Sequence, residues 1–317
     1  MPIHTGGGHT LTLRQSLVRR LDRWQRAFAP TAVAVGVIKK YSDDRGGSLS
    51  ALITFYGFLA VFPLLLLLVT VVGLVVGPNS HTEQEIVNSA LSQFPVVGQH
   101  LDSSIKSLHK ATPLAFIVSA IGLLWGSLGV TNTIQRASEL MWGVPRHQAA
   151  TLVRRVIRGL LLLGTIAVAV IGSAVLAGIS TISGSSLHES PVAYWVFTLV
   201  GAGAVNLVAY YLAFSILAPK DTAGRALLPG TLIGGLGWTV LESIGGILVN
   251  HVLRHTTQLY GFFAIVLGLI FWLSLGSQLF VYAGETNVVL AKHLWPRHLD
   301  DPPRDTTSAL ADAAVNA

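Results

Sequence analysis

No cysteine occurs among the 317 residues, and only 11% of them are charged. The first absence excludes disulfides, thiolate metal sites and a cysteine nucleophile, and says nothing about compartment. The second excludes an ordinary soluble globule. Such domains are about 25% charged, and this chain lacks the polar residues to coat one. Enzyme signatures are missing too: there is no GxSxG, no HExxH, no Walker loop and no clustered His/Asp metal set. The expectation is a protein that is not an enzyme and needs no cofactor or metal. What is abundant is hydrocarbon, with 51% hydrophobic residues and a mean hydropathy of +0.61.

A transmembrane helix needs about 20 mostly apolar residues. Six runs qualify, at 49–77, 113–135, 156–182, 191–218, 226–250 and 259–290. Lipid offers no partner to free backbone groups, so each is expected to be helical. Pro63 should kink the first, whereas Pro229 sits in the first turn of the fifth, where its missing N–H costs nothing. The first apolar run begins too deep and runs too long for a cleaved secretory signal.

Orientation follows from the basic residues. If the runs alternate direction, all but three of the 21 lysines and arginines fall on one side; Lys106, Lys110 and Arg254 are the exceptions. Both termini are then cytoplasmic. The net charge of +6 becomes a topology signal, and no nucleic-acid partner is expected. The resulting fold class is an all-α integral membrane protein with six transmembrane helices. Its division is a cytoplasmic basic arm over 1–48, a six-helix domain over 49–291 with an external helical loop at 78–112, and a mostly disordered tail over 292–317.

Outside the spans, Leu13, Leu17, Leu21, Trp24 and Phe28 recur at helical steps among arginines. That pattern reads as an amphipathic helix on the inner leaflet, binding anionic lipid headgroups. Val87, Leu91, Phe94, Leu101, Ile105 and Leu108 suggest two short helices capping the outer mouth, broken at Pro95. The chain could also form a homo-oligomer.

Several polar residues could carry function. Arg136 and Glu139 end the second span at its inner boundary, one turn apart and able to pair. They read as a helix end reaching the headgroups or as an anion-attracting site. Asp43, Asp44 and Arg45 precede Gly46, Gly47 and Ser48; Ser48 is a plausible N-cap for the first span, and Asp44 and Arg45 are candidates for an inner mouth. Glu242 lies about 24 Å into the fifth span. An intramembrane carboxylate is a functional candidate by default, although a hydrogen bond to a neighbouring helix would also explain it. Asn206, about 22 Å into the fourth span from the outer side, is expected at a different depth from Glu242 and to cement helices. Gln278 and Glu285 belong to the inner half of the sixth span. His251 and His255 have a metal-compatible spacing but no third ligand. Gly73 with Gly77, Gly122 with Gly126, and Gly230 with Gly234 are GxxxG pairs, suited to close helix packing.

Four stretches resemble one family. They are "DDRGGSLSALITFYGFLAVFPLLL" (43–66), "LLWGSLGVTNTIQRASELMWGVP" (123–145), "LLPGTLIGGLGW" (227–238) and "LYGFFAIVLGLIFWLSLGSQLFVYAGETN" (259–287). In this order they are similar to the YihY/BrkB group of bacterial inner-membrane proteins, more narrowly its YhjD-like members. Tyr260-Gly261, Trp272, Glu285 and Asn287 match the family's landmarks, while Ala283-Gly284 and Ser274 depart from them. The resemblance implies a six-helix inner-membrane protein without a settled activity. Family members have carried the label ribonuclease BN, which the residues here do not support.

Two functions remain in play: a transporter or lipid/anion-translocating protein without ATPase activity, and a non-transporting membrane scaffold or envelope-maintenance factor. The most informative observation is whether Arg136, Glu242, Asn206 and Glu285 face one shared water-accessible cavity or make four separate contacts.

Overall fold

The structure is a computed structural model that describes residues 28–76, 113–145, 151–182 and 191–297. Among the described residues it is built of helices, with no strand: α1 (Ala29–Asp43), α2 (Gly46–Val76), α3 (Pro113–Met141), α4 (Leu152–Ile182), α5 (Pro191–Leu217), a 3₁₀ turn (Gly224–Leu227) and α6 (Leu228–Ala291). The amphipathic stretch before Phe28, the loop helices expected over 82–110 and the tail beyond Arg297 lie outside the described residues.

At 1.5 Å per residue the 64 residues of α6 would extend about 96 Å if straight. They do not. The Gly230 N–H donates to Asn287 Oδ1 at 2.6 Å, and Trp238 stacks edge-on against Trp272. α6 therefore holds two antiparallel arms, the apolar stretches Gly224–Gly245 and Val266–Ala291, with the reversal between them. These correspond to the fifth and sixth expected spans, and Pro229 does occupy the first turn.

The helices pack in a closed ring: α2 on α3, α3 on α4, α4 on α5, α5 on α6, and α6 back onto α2, with α1 laid against α6. Glycines set the closest approaches. A Cβ at Gly126 would come within 3.0 Å of Ala60, and one at Gly230 would run into the Ala283 carbonyl and the Asn287 amide. One at Gly234 would enter the Tyr210 ring. The Gly230/Gly234 pair thus serves two partners, the return arm of α6 and α5, rather than one.

The distribution of polarity is inside out. Ser50, Thr54, Thr133, Gln135, Asn206, Thr239, Ser277, Glu285 and Asn287 are buried, while Phe55, Val153, Leu160, Val200, Leu236 and Phe271 are exposed, Val153 to 70%. Exposed apolar surface on this scale marks contact with something other than water. Among the described residues three helical stretches, Leu199–Leu217, Gly224–Gly245 and Val266–Ala291, are long and apolar enough to cross a membrane. The chain is a helical membrane protein.

One expectation about the first span needs correction. Helix α2 begins at Gly46, so Ser48 lies within it; the Ser48 N–H donates to the Arg45 carbonyl at 2.9 Å and caps nothing. Arg45 makes the break instead, at a left-handed φ of 54°, because the chain must turn sharply between α1 and α2. Gly46 follows because the Tyr41 ring occupies the place of a Cβ. Within the stretch 1–48, read as a basic amphipathic arm, α1 is docked on the bundle. Helix α2 runs on through residue 63.

Candidate functional site

The polar candidates fall in three places rather than one. The first is at the end of the bundle where α1, α3 and α6 finish. Helix α3 closes at Gly143 (φ 64°), with Gly143 N–H bonded to Leu140 O and Val144 N–H to Glu139 O. Helix α6 closes the same way at His293 (φ 52°), with Leu294 N–H bonded to Val289 O. Both are Schellman ends. Lys292 joins them: its Nζ donates to the Trp142 carbonyl at 2.8 Å and lies 5.9 Å from the centre of that indole, a cation at a helix C-terminus. Burial lowers the Lys292 pKa from its ordinary value, and the charge of nearby Lys40 lowers it further.

Lys40 is the centre of this end. It is 3% exposed and pairs with Asp44, one turn on, and with Glu285, at 3.0 Å and fully buried. The Asp44 carboxyl bears on Glu285 as well, so one ammonium is shared by two carboxylates. Glu285 Oε1 has no hydrogen-bond partner of its own. Two further contacts hold α1 in place: Tyr41 stacks on Tyr282 of the return arm with ring centres 4.0 Å apart, and Arg297, beyond the end of α6, bonds Asp43 at 2.7 Å. Glu285 and Asp44, both singled out from the sequence, thus meet, whereas Arg45 is exposed at the turn. The residue that joins them, Lys40, reads in the sequence as one more topology charge. Its spacing from Asp44 was the available signal.

The second place is the middle of the bundle. Asn206 on α5 donates to Glu242 Oε2 at 3.0 Å and to Thr239 Oγ1 at 3.1 Å. Trp238 Nε1 donates to Glu242 Oε1 at 2.7 Å. The expectation that Asn206 and Glu242 sit at different depths is overturned. Side chains tilt toward the N-terminus of their own helix. Helix α5 and the first arm of α6 are antiparallel, so Asn206 and Glu242 lean toward each other. Both carboxylate oxygens accept from neutral donors, and among the described residues no cation pairs with Glu242.

The third place is the junction of α3 and α4. Glu139 does not pair with Arg136. Its partner is Arg155, at 3.1 Å, because the next helix presents a guanidinium opposite Glu139 while Arg136 points outward and is exposed. Gln135 Nε2 bonds the Arg155 carbonyl at 3.0 Å. Ser138 ties α3 to the last carbonyl of α5, at 3.2 Å.

Gln278 bonds Ser274 on its own helix. The side chains of His251 and His255 lie outside those described. Among the described residues no three His, Asp or Glu side chains gather as a metal-binding set.

The chain matches the family of Virulence factor BrkB over residues 37–307. It is also similar to a Bacillus subtilis (strain 168) protein described as ribonuclease-like, YfkH, at 22% identity over 264 residues, covering 81% of this chain and 94% of that protein. No solved structure matches.

Proposed function

That the chain belongs to the BrkB family is the premise from which we propose a multi-pass protein of the bacterial inner membrane. On this reading it translocates a lipid or small anion without hydrolysing ATP. Helices α2, α3 and α4 have 31, 29 and 31 residues, each above the roughly 20 a crossing needs. With α5 and the two arms of α6 they make six spans. Lys40, Arg136, Arg155, Lys220, Arg225 and Lys292 gather at one end of the bundle, which the positive-inside rule puts in the cytoplasm together with both termini.

Glu242 carries the functional reading. An acid inside a span, held by Trp238 and Asn206 and, among the described residues, by no cation, is the kind of group that marks an ion or proton pathway in membrane proteins. It keeps two acceptor sites poised and can take a proton without leaving an orphaned cation. Exposed Arg136, at the basic end, would draw an anionic group to the surface. The test is purified protein in liposomes, assayed for movement of labelled anionic lipid and of a small anion. Glu242→Gln is expected to abolish movement and Arg136→Ala to slow it; unchanged rates in both would remove these residues from the mechanism.

The clasp of Lys40, Asp43, Tyr41 and their partners favours a second reading, a static scaffold for envelope upkeep. Crosslinking that recovers a stoichiometric partner, together with inert liposomes, would support it. Neither reading includes RNA cleavage, and incubation of the pure protein with labelled RNA should leave the RNA intact.

A further inference from the structure

Gly57 departs from the packing around it. On α2, Ser50, Ile53, Thr54 and Val61 are buried, whereas Leu52 and Phe55 are about half exposed. Positions 50, 53, 54, 57 and 61 follow the spacing of one helix face, so Gly57, itself partly exposed, lies on the side of the buried residues. Its neighbours on α2 fix the direction. Tyr56 and Ala60 lie against Gly129 and Gly126 of α3, and the Thr54 hydroxyl meets that of Ser277 on α6 at 2.7 Å. Gly57 points between those two partners.

Gly126, Gly129, Gly234, Gly235 and Gly276 each abut a neighbouring residue, yet a Cβ at Gly57 would meet no heavy atom within 4 Å. Gly164 is equally open, but it is exposed on the outer face of α4. Helices α3 and α6 meet at the basic end, through Met141 beside Gly284 and Lys292 on Trp142, and at the level of Gly57 α2 leaves room between them. Gly57 lies 11 residues beyond Gly46, about 16 Å along the helix, well inside the bundle.

A second observation points to what occupies the space. Ser50, two turns toward the basic end on the same face, is 2% exposed, and its hydroxyl has no protein partner. Buried orphan hydroxyls take water. The antiparallel register set by Thr54 and Ser277 puts Gly46 level with Glu285, whose Oε1 is also orphaned. Ser50, Thr54, Ser277 and Glu285 thus place polar atoms along the seam between α2 and α6, among the buried apolar Leu49, Ile53 and Val281.

We infer that the space beside Gly57 is a water-filled chamber that admits small hydrated solutes. Thr54 and Ser277 stand in its wall between Gly57 and Ser50, and the Lys40–Asp44–Glu285 cluster closes it at the basic end. That closure is made by side chains that α1 and the return arm bring together, so a shift of either would open the seam.

The absence of cysteine makes a direct test simple. Single variants Gly57→Cys and Leu52→Cys, in liposomes, are exposed to a charged, membrane-impermeant thiosulfonate and to a lipid-soluble maleimide. The chamber predicts that Gly57→Cys reacts with the charged reagent, while Leu52→Cys reacts only with the maleimide. Equal silence of both toward the charged reagent would overturn it, and reaction of Gly57→Cys with the maleimide alone would show acyl chains there instead. Melting curves give a second readout. Gly57→Ala should leave the midpoint unmoved and Gly126→Ala should lower it; equal losses would mean that the space is not open. None of these readouts needs transport, so a null flux assay leaves the chamber standing.

Discussion

Two buried carboxylates in this bundle are handled in opposite ways. Glu285, at the basic end, shares the Lys40 ammonium with Asp44 and is completely covered. Glu242, in the middle, is half-buried and among the described residues receives the N–H groups of Asn206 and Trp238. The first arrangement is a joint: it ties α1 to α6 and cannot lose a member without stranding a charge. The second is a holder, whose donors stay useful whether or not the acid carries its proton. The two acids thus differ in the kind of partner as well as in burial: a shared ammonium for Glu285, neutral N–H donors for Glu242.

The sharpest way to break the comparison is Lys40→Ala. Removing one partner of a buried ion pair costs about 3–5 kcal/mol, and two carboxylates would be stranded at once. Detergent-solubilised protein should melt far below wild type, and Lys40→Ala/Glu285→Gln should recover part of the loss. If the single variant melts normally, the joint is ornamental. Gly230→Ala comes next. Its Cβ would meet the Ala283 carbonyl and disturb the bond to Asn287, for about 1–3 kcal/mol by overpacking. An unshifted midpoint would show that the arms of α6 stand further apart.

Smaller still is the contrast at the α3–α4 junction. Arg155→Ala removes a partly covered pair with Glu139 and should cost about 1 kcal/mol, while Arg136→Ala, at an exposed position, should stay within about 0.5 kcal/mol. Reversed magnitudes would restore the pairing that helical spacing alone suggests.

These residues also mark what the sequence could and could not reveal. Hydropathy and chain length expose the helices, because hydrocarbon forces every backbone group into them. The landmarks Glu285 and Asn287 could be picked out because they belong to a motif. The partners could not. Lys40 and Glu285 lie 245 positions apart, and nothing local says that α1 docks at the end of α6. Arg136 lies nearer to Glu139 in sequence than Arg155 does, so spacing favours the wrong arginine. Asn206 and Glu242 were separated by reckoning depth from helix ends, which ignores that side chains on antiparallel helices lean in opposite senses.

A variant with little expected change in stability is the most telling. Gln in place of Glu242 still accepts from Trp238, and Asn206 can turn its amide to present Oδ1 to the new N–H₂ group. The cost should stay below about 1 kcal/mol, the worth of one hydrogen bond. Side-by-side melting and flux of Glu242→Gln therefore bear on the central claim. The account predicts a wild-type midpoint with translocation of labelled anion or lipid lost; a wild-type flux accompanied by a large fall in the midpoint would make Glu242 a structural residue and contradict it.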